Sequence, residues 1–248
     1  MFHSLLLENI LFLDIETVPA FPSYSDVPDE WKKLWDKKAS VISKDPEDTP
    51  ESLYSRAGIY AEFGKIICIS VGFLKNAEAR PDDKVGRGKE QFRIKSFYGH
   101  DEKQVLSDFA ELLNKHFYRA DHRLCGHNGK EFDFPWIARR MMIHGIKIPA
   151  LLNTAGKKPW EVNHLDTMEM WKFGDFKNHT SLNLLAALFG VPTPKDDIDG
   201  SMVHKVYYEE KNLERIVMYC QKDVLTVVQL LRKFRGESLI AEECVLIS

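Results

Sequence analysis

An α/β fold, with a mixed sheet flanked by helices, is what this sequence predicts, on three observations. Its β-prone runs come early and adjacent, as hairpin-connected strands do; helix-patterned and strand-patterned segments then alternate; and a long helical pattern closes the regular part of the chain. With 248 residues, 44% of them apolar, the chain can bury a sizeable core, and a single domain over 1–248 with an insertion at about 19–58 is expected.

The apolar run Ile10-Leu11-Phe12-Leu13 predicts the first strand. From Pro19 to about Gly58 the chain carries Pro22, Pro28, Pro46 and Pro50 and little strand pattern, with short helices expected at Trp31 to Lys38 and Glu51 to Ala57. An insertion of this length beside a site is read either as a substrate lid or as surface decoration. Lys65 to Phe73 is a β-branched run that predicts a central strand, and Phe92, Ile94 and Phe97 its hairpin partner. The polar tip between them holds Arg80, Lys84, Arg87 and Lys89 and reads as a solvated turn or a nucleic-acid contact.

Glu102 to Phe117 repeats apolar residues at the helical period behind Asp101, a capping residue. Arg123 to Asn128 predicts a short buried strand, and Pro135 suits the first turn of a helix running to His144. A strand is expected over Asn163 to Glu169, and a helix over Leu182 to Phe189, stopped by Gly190. Lys195 to Ser201 reads as a polar loop. Asn212 to Arg235 is the long amphipathic helix, with Ile216, Cys220, Val224, Val227 and Leu231 on one stripe. The last dozen residues are apolar enough to dock but carry no readable pattern.

Composition excludes several classes. No apolar run approaches the ~18–20 residues that cross a bilayer, so no membrane partner is expected. The N-terminal stretch lacks a basic start and is interrupted by Glu8 and Asn9, which argues against secretion. Cys68, Cys125, Cys220 and Cys244 form no Cys-x-x-Cys pair, and a reducing, cytoplasmic setting is expected. The nine histidines show no zinc spacing. A formal charge of -3 argues against coating duplex nucleic acid by bulk electrostatics, while leaving room for a local phosphate groove.

Chemistry concentrates in three places. Asp14 and Glu16, two apart on a strand, point to the same face, where paired carboxylates beside apolar neighbours call for a hard cation such as Mg or Mn. Tyr219 and Asp223, four apart on the long helix, share a face beside its apolar stripe. Asn128-Gly129-Lys130-Glu131-Phe132-Asp133 sets a turn at a strand-to-helix junction, where α/β sheets place ligands. Each group has an ordinary explanation alone: a solvated strand end, an acid at a helix margin, an N-cap. Four acids from three elements, each at a site-like position, weigh more than any one.

In this order and spacing, the three motifs resemble those of the DEDD superfamily of 3′→5′ exonucleases, in its tyrosine subclass. Gly126-His127-Asn128 and Tyr219-Cys220-Gln221-Lys222-Asp223-Val224 are similar to the proofreading exonuclease domain of family B DNA polymerases, here without a polymerase domain. The histidine subclass would place His at 218, which is Met. The resemblance spans about residues 10–235 and implies a ribonuclease H-like fold with a mixed five-stranded sheet. It also implies a two-metal hydrolysis that releases nucleoside monophosphates from single-stranded DNA, with two divalent ions, Mg or Mn. Asp14 would bridge the ions, Glu16 and Asp223 would complete one site, Asp133 would hold the other, and Tyr219 would orient the attacking water. Thr17, Val18, Asn128 and Phe132 are the expected substrate contacts. Arg139, Arg140, Lys147, Lys157 and Lys158 make the following region basic, either for phosphate tracking or as a solvated helix face. Asp166 resembles the family's additional acid and is assigned no metal role. DNA repair is the setting suggested by analogy. A 3′→5′ exoribonuclease of the RNase D type is the nearest alternative, followed by a non-catalytic nucleic-acid-binding module and a protein-interaction module built on the basic hairpin and terminal helix.

Overall fold

A computed structural model describes residues 5–76, 90–175, 177–192 and 198–248. Strand β1 (Ile10–Pro19) lies at the middle of the sheet because every residue from Ile10 to Leu13 is buried on one face or the other. It pairs antiparallel with β2 (Gly64–Asn76), which pairs antiparallel with β3 (Glu90–Tyr98). On its other side β1 runs parallel to β4 (Arg123–Gly126), and β4 parallel to β5 (Leu165–Asp166). A strand not anticipated from the sequence, β6 (Val245–Ile247), docks parallel to β3 and makes the sheet six-stranded, in the order β5-β4-β1-β2-β3-β6. This mixed sheet, hairpin strands first and parallel strands after, agrees with a ribonuclease H-like fold.

The period-2 alternation of β1 divides the core. Leu11, Leu13 and Ile15 join Phe109 and Leu113 of α2 (Glu102–His116) and Trp136 and Ile137 of α3 (Asp133–Ile143) on one face. Ile10 and Phe12 join Val224, Val227 and Leu231 of α7 (Leu213–Phe234) on the other. Gly72 lets α7 sit this close: a Cβ there would stand 2.2 Å from the Phe92 ring and 2.9 Å from Val224. Three shorter helices complete the layer: α4 (Thr167–Lys172), α5 (Leu182–Phe189) and α6 (Val203–Tyr208). Phe189 stacks edge-on to Phe234, tying α5 to the end of α7.

Between β1 and β2 the chain builds α1 (Asp29–Ile42), longer than expected, and a 3-10 turn at Tyr54–Ile59 where an α-helix was expected. This stretch has its own aromatic core around Trp35, whose indole N–H donates to Pro50 O at 2.7 Å. It returns against the end of β1: a Cβ on Gly58 would come within 3.0 Å of the Val18 carbonyl carbon. The strand expected over 163–169 is shortened, because Asp166 accepts from the N–H groups of Met168 and Glu169 and starts α4. The basic hairpin tip holding Arg80, Lys84, Arg87 and Lys89 lies outside the described residues.

Candidate active site

Asp14 and Glu16 continue the side of β1 that faces α7. Opposite them β2 changes register: the pairing shifts between Glu16 and Thr17, and both Ile67 and Cys68 turn toward α6 and α7. Cys68 therefore sits across from Glu16. Just past the acids, the Thr17 hydroxyl donates to Gly58 O at 2.6 Å, and the Val18 side chain is wholly buried with Val206 and Ile216. The Thr17 hydroxyl thus keeps only its acceptor side for a nucleotide, and what Val18 can offer is backbone.

From the other direction, the stripe of α7 that packs on the sheet carries Tyr219 and Asp223 beside it, both half-buried. The phenol hydrogen-bonds the Asp223 carboxylate. Between them Cys220, fully buried, donates its thiol to Asp14 at 3.4 Å, to both the carboxylate Oδ2 and the backbone carbonyl, and also contacts Cys68.

Asp133 arrives from α3. The β1–β4 ladder stops at Phe12, and the N–H of Ile15 beyond it is taken instead by Asp133 Oδ1 at 3.1 Å. The helix start is held by the preceding turn, where Asn128 adopts φ 63° and Asp166 accepts from the N–H groups of Asn128 and Lys130, each at 3.0 Å. Asp166 thus spends its carboxylate on four backbone N–H groups and fixes the turn. Asn128 Oδ1 is buried and has no hydrogen-bond partner among the described residues. Phe132, half-buried, packs on the core and on the Trp136 ring.

The four carboxylates lie in one another's fields. Burial, then Asp133, Glu16 and Asp223, hold Asp14 well above the ordinary carboxylate range; burial, then Asp223, does the same to Glu16. Burial outweighs the Ile15 hydrogen bond at Asp133, whose carboxyl is pushed up to about 7, with Asp166 and Asp223 adding to the rise. Among the described residues no Lys or Arg forms an ion pair with Asp14, Glu16 or Asp133. Buried like charges without a counter-charge form a place for a cation. Ligand atoms of Asp14, Glu16 and Cys220 lie within 4.8 Å of one another. Burial keeps the Cys220 thiol protonated, so it serves Asp14 as a donor, and the remaining oxygen set suits a hard ion.

Four groups have supporting duties that the sequence did not reveal in full. The thiols of Cys68 and Cys220 owe theirs to the closeness of β1, β2 and α7. His127 is locked at both ring nitrogens, to the Thr167 hydroxyl and to Thr180 O, each at 2.9 Å, through contacts some forty and fifty residues away. The role of Asp166 did have a signal: Glu169 follows it by three, the spacing of a helix N-terminus.

A mixed sheet of the ribonuclease H-like class here gathers acids from two strand positions and two helices on one side, a candidate metal centre. A family model described as a predicted 3′-5′ exonuclease related to the exonuclease domain of PolB matches residues 61–237, and the chain belongs to this family of 3′→5′ exonucleases, enzymes that act on nucleic acid. The matched residues include Asp133, Tyr219 and Asp223 and begin after Asp14 and Glu16, which the sheet brings to the same place. No curated protein matches the chain. No described helix is long and apolar enough to cross a membrane.

Proposed function

We propose that the protein is a metal-dependent 3′→5′ exonuclease that shortens single-stranded DNA by releasing nucleoside monophosphates. The observation that carries this reading is the convergence of Asp14, Glu16, Asp133 and Asp223 from β1, α3 and α7, near enough for Asp223 to raise the carboxyls of the other three. Asp14, Glu16 and Asp223 would hold one divalent ion, Mg or Mn, and Asp14 with Asp133 a second. Such ions, when bound, supply charge stabilisation for an in-line displacement at phosphorus and lower the pKa of water.

The chain's own groups do the rest. The Cys220 thiol holds the Asp14 carboxylate in register, and the Ile15 N–H holds that of Asp133. Burial and the neighbouring Asp223 raise the Tyr219 phenol far above its ordinary value, so it stays neutral and positions the attacking water through its oxygen. The partnerless Asn128 Oδ1 supports a polar contact to the substrate, and Phe132 an apolar one. DNA is favoured by the family's relation to the PolB exonuclease domain. Four free cysteines favour a reducing cytoplasm.

Matched DNA and RNA strands carrying a 3′-terminal label, digested side by side with Mn, test the substrate. Release of labelled monophosphate from DNA at least about ten times faster than from RNA is expected. Preferential RNA digestion would make the protein an exoribonuclease of the same chemistry.

A further inference from the structure

The turn that carries Asn128 and Asp133 has a second side. Against it lies a cavity of about 490 Å³, within the size range of small-ligand sites, floored by Phe134, Val162 and Met168 and bordered by Lys130, Lys157 and Lys172. Of its acids, Asp166 is engaged by four backbone N–H groups and Glu169 by Lys130 at 2.6 Å, while Glu131 lines it as an exposed carboxylate. Lys157 and Lys172 form no ion pair among the described residues, so their charge is uncommitted at the rim.

Exposed rings accompany these cations. Phe173, next to Lys172, is 87% exposed and is held at φ 44°, a left-handed conformation that disfavours any side chain. Trp160 follows the lining residue Pro159, is 75% exposed, and has the Lys158 ammonium 5.2 Å from its ring centroid. A second cavity of about 410 Å³ shares Thr154, Lys157, Val162 and His164 with the first and continues to Arg119 and the exposed Tyr118. Exposed rings beside cations at the margin of a groove suit unpaired bases and their phosphates without reading sequence. A neutral heteroaromatic base suits the apolar floor, and phosphates suit Lys157 and Lys172.

We propose that this groove is a second nucleic-acid subsite, which takes an unstacked base of the single strand upstream of the 3′ end while Lys157 and Lys172 hold its phosphates. The inference rests on the exonuclease reading for its choice of ligand. The subsite shares the 128–133 turn as a wall with the carboxylate centre, so a strand held in it is tethered beside the acids and is drawn on as its end is trimmed.

Fluorescence anisotropy in EDTA, where no hydrolysis occurs, separates the subsite from catalysis. A 12-mer of thymidylate is expected to bind at least about ten-fold tighter than a 3-mer. The variant Lys157→Ala/Lys172→Ala is expected to lose about ten-fold on the 12-mer and nothing on the 3-mer, with the slope of log affinity against log salt falling by about 1.4. Thr154→Trp, which fills the cavity without removing charge, is expected to weaken the 12-mer selectively as well. Unchanged 12-mer affinity in both variants, or equal losses on the 3-mer and 12-mer, would overturn the proposal. Length-dependent binding that needs the two lysines, in a protein that hydrolyses no strand with Mn, would support the subsite while refuting the exonuclease reading.

Discussion

Tyr219 shows how burial assigns a role. Desolvation and the Asp223 carboxylate both raise its phenol, so it has no accessible base form at working pH. Tyr219→Phe is therefore expected to lower kcat about 100-fold with Mn affinity unchanged, as measured by single-turnover digestion and metal titration. If the phenol were a general base, the wild-type rate would keep rising toward alkaline pH; a plateau is expected instead. At this scale the sequence was most readable where a fixed interval sets a shared face: two on a strand for Asp14 and Glu16, four on a helix for Tyr219 and Asp223. It was least readable where a side chain's duty comes from a distant partner. Thr17 and Val18 looked available from their place after Glu16, yet one is tied to Gly58 and the other is in the core. Cys220 looked like plain helix stripe, and only the closeness of β1 makes it the donor that steadies Asp14.

Among the elements, length decided legibility. The apolar patterns of α2, with Asp101 as its readable cap, and of α7 predict both helices within a residue or two. The short pieces α4, α6 and β6 have too few residues to show a period; α4 is started by the Asp166 cap, and β6 by pairing with β3. The basic stretch after the second motif contains a counterexample to its own reading. Arg140 faces inward, its guanidinium paired with both oxygens of Glu102 at 2.9 and 2.6 Å, and donates to Ala61 O. Glu102 also accepts from the N–H of Ile66 at 2.7 Å and meets His144. This buried network locks α2, α3 and β2 into one unit beside the centre. Glu102→Ala strands Arg140 without a partner and is expected to cost about 3–5 kcal/mol in denaturant unfolding. Replacing both residues with apolar ones of similar volume is expected to recover most of that loss.

The whole molecule carries the electrostatic cost of its site. Asp133, with its pKa pushed up to about 7 from an ordinary 3.8, keeps its proton in the folded chain where the unfolded chain has lost it. The contribution of this group is therefore fully present below about pH 4 and is lost as pH rises through about 7. The metal-free protein is expected to melt several degrees lower at pH 8 than at pH 5.5, relative to Asp133→Asn, which keeps an oxygen for the Ile15 N–H but cannot ionise. Saturating Mn is expected to erase the difference by supplying the missing counter-charge, as calorimetric melting would show. The six-stranded sheet was legible in its centre, where β1 and β2 are continuous apolar runs, and illegible at its outer edge, where three residues of β6 depend on the place they dock.

In the proposed function, acids from β1, α3 and α7 grip divalent ions as a unit. Titration of the metal-free protein with Mn, followed by electron paramagnetic resonance, measures this directly. Two bound ions per chain are expected, reduced to one weak site or none by Asp14→Ala, whose loss removes the residue shared by both. Absence of bound Mn in the wild-type protein, or binding left intact by Asp14→Ala, would contradict it.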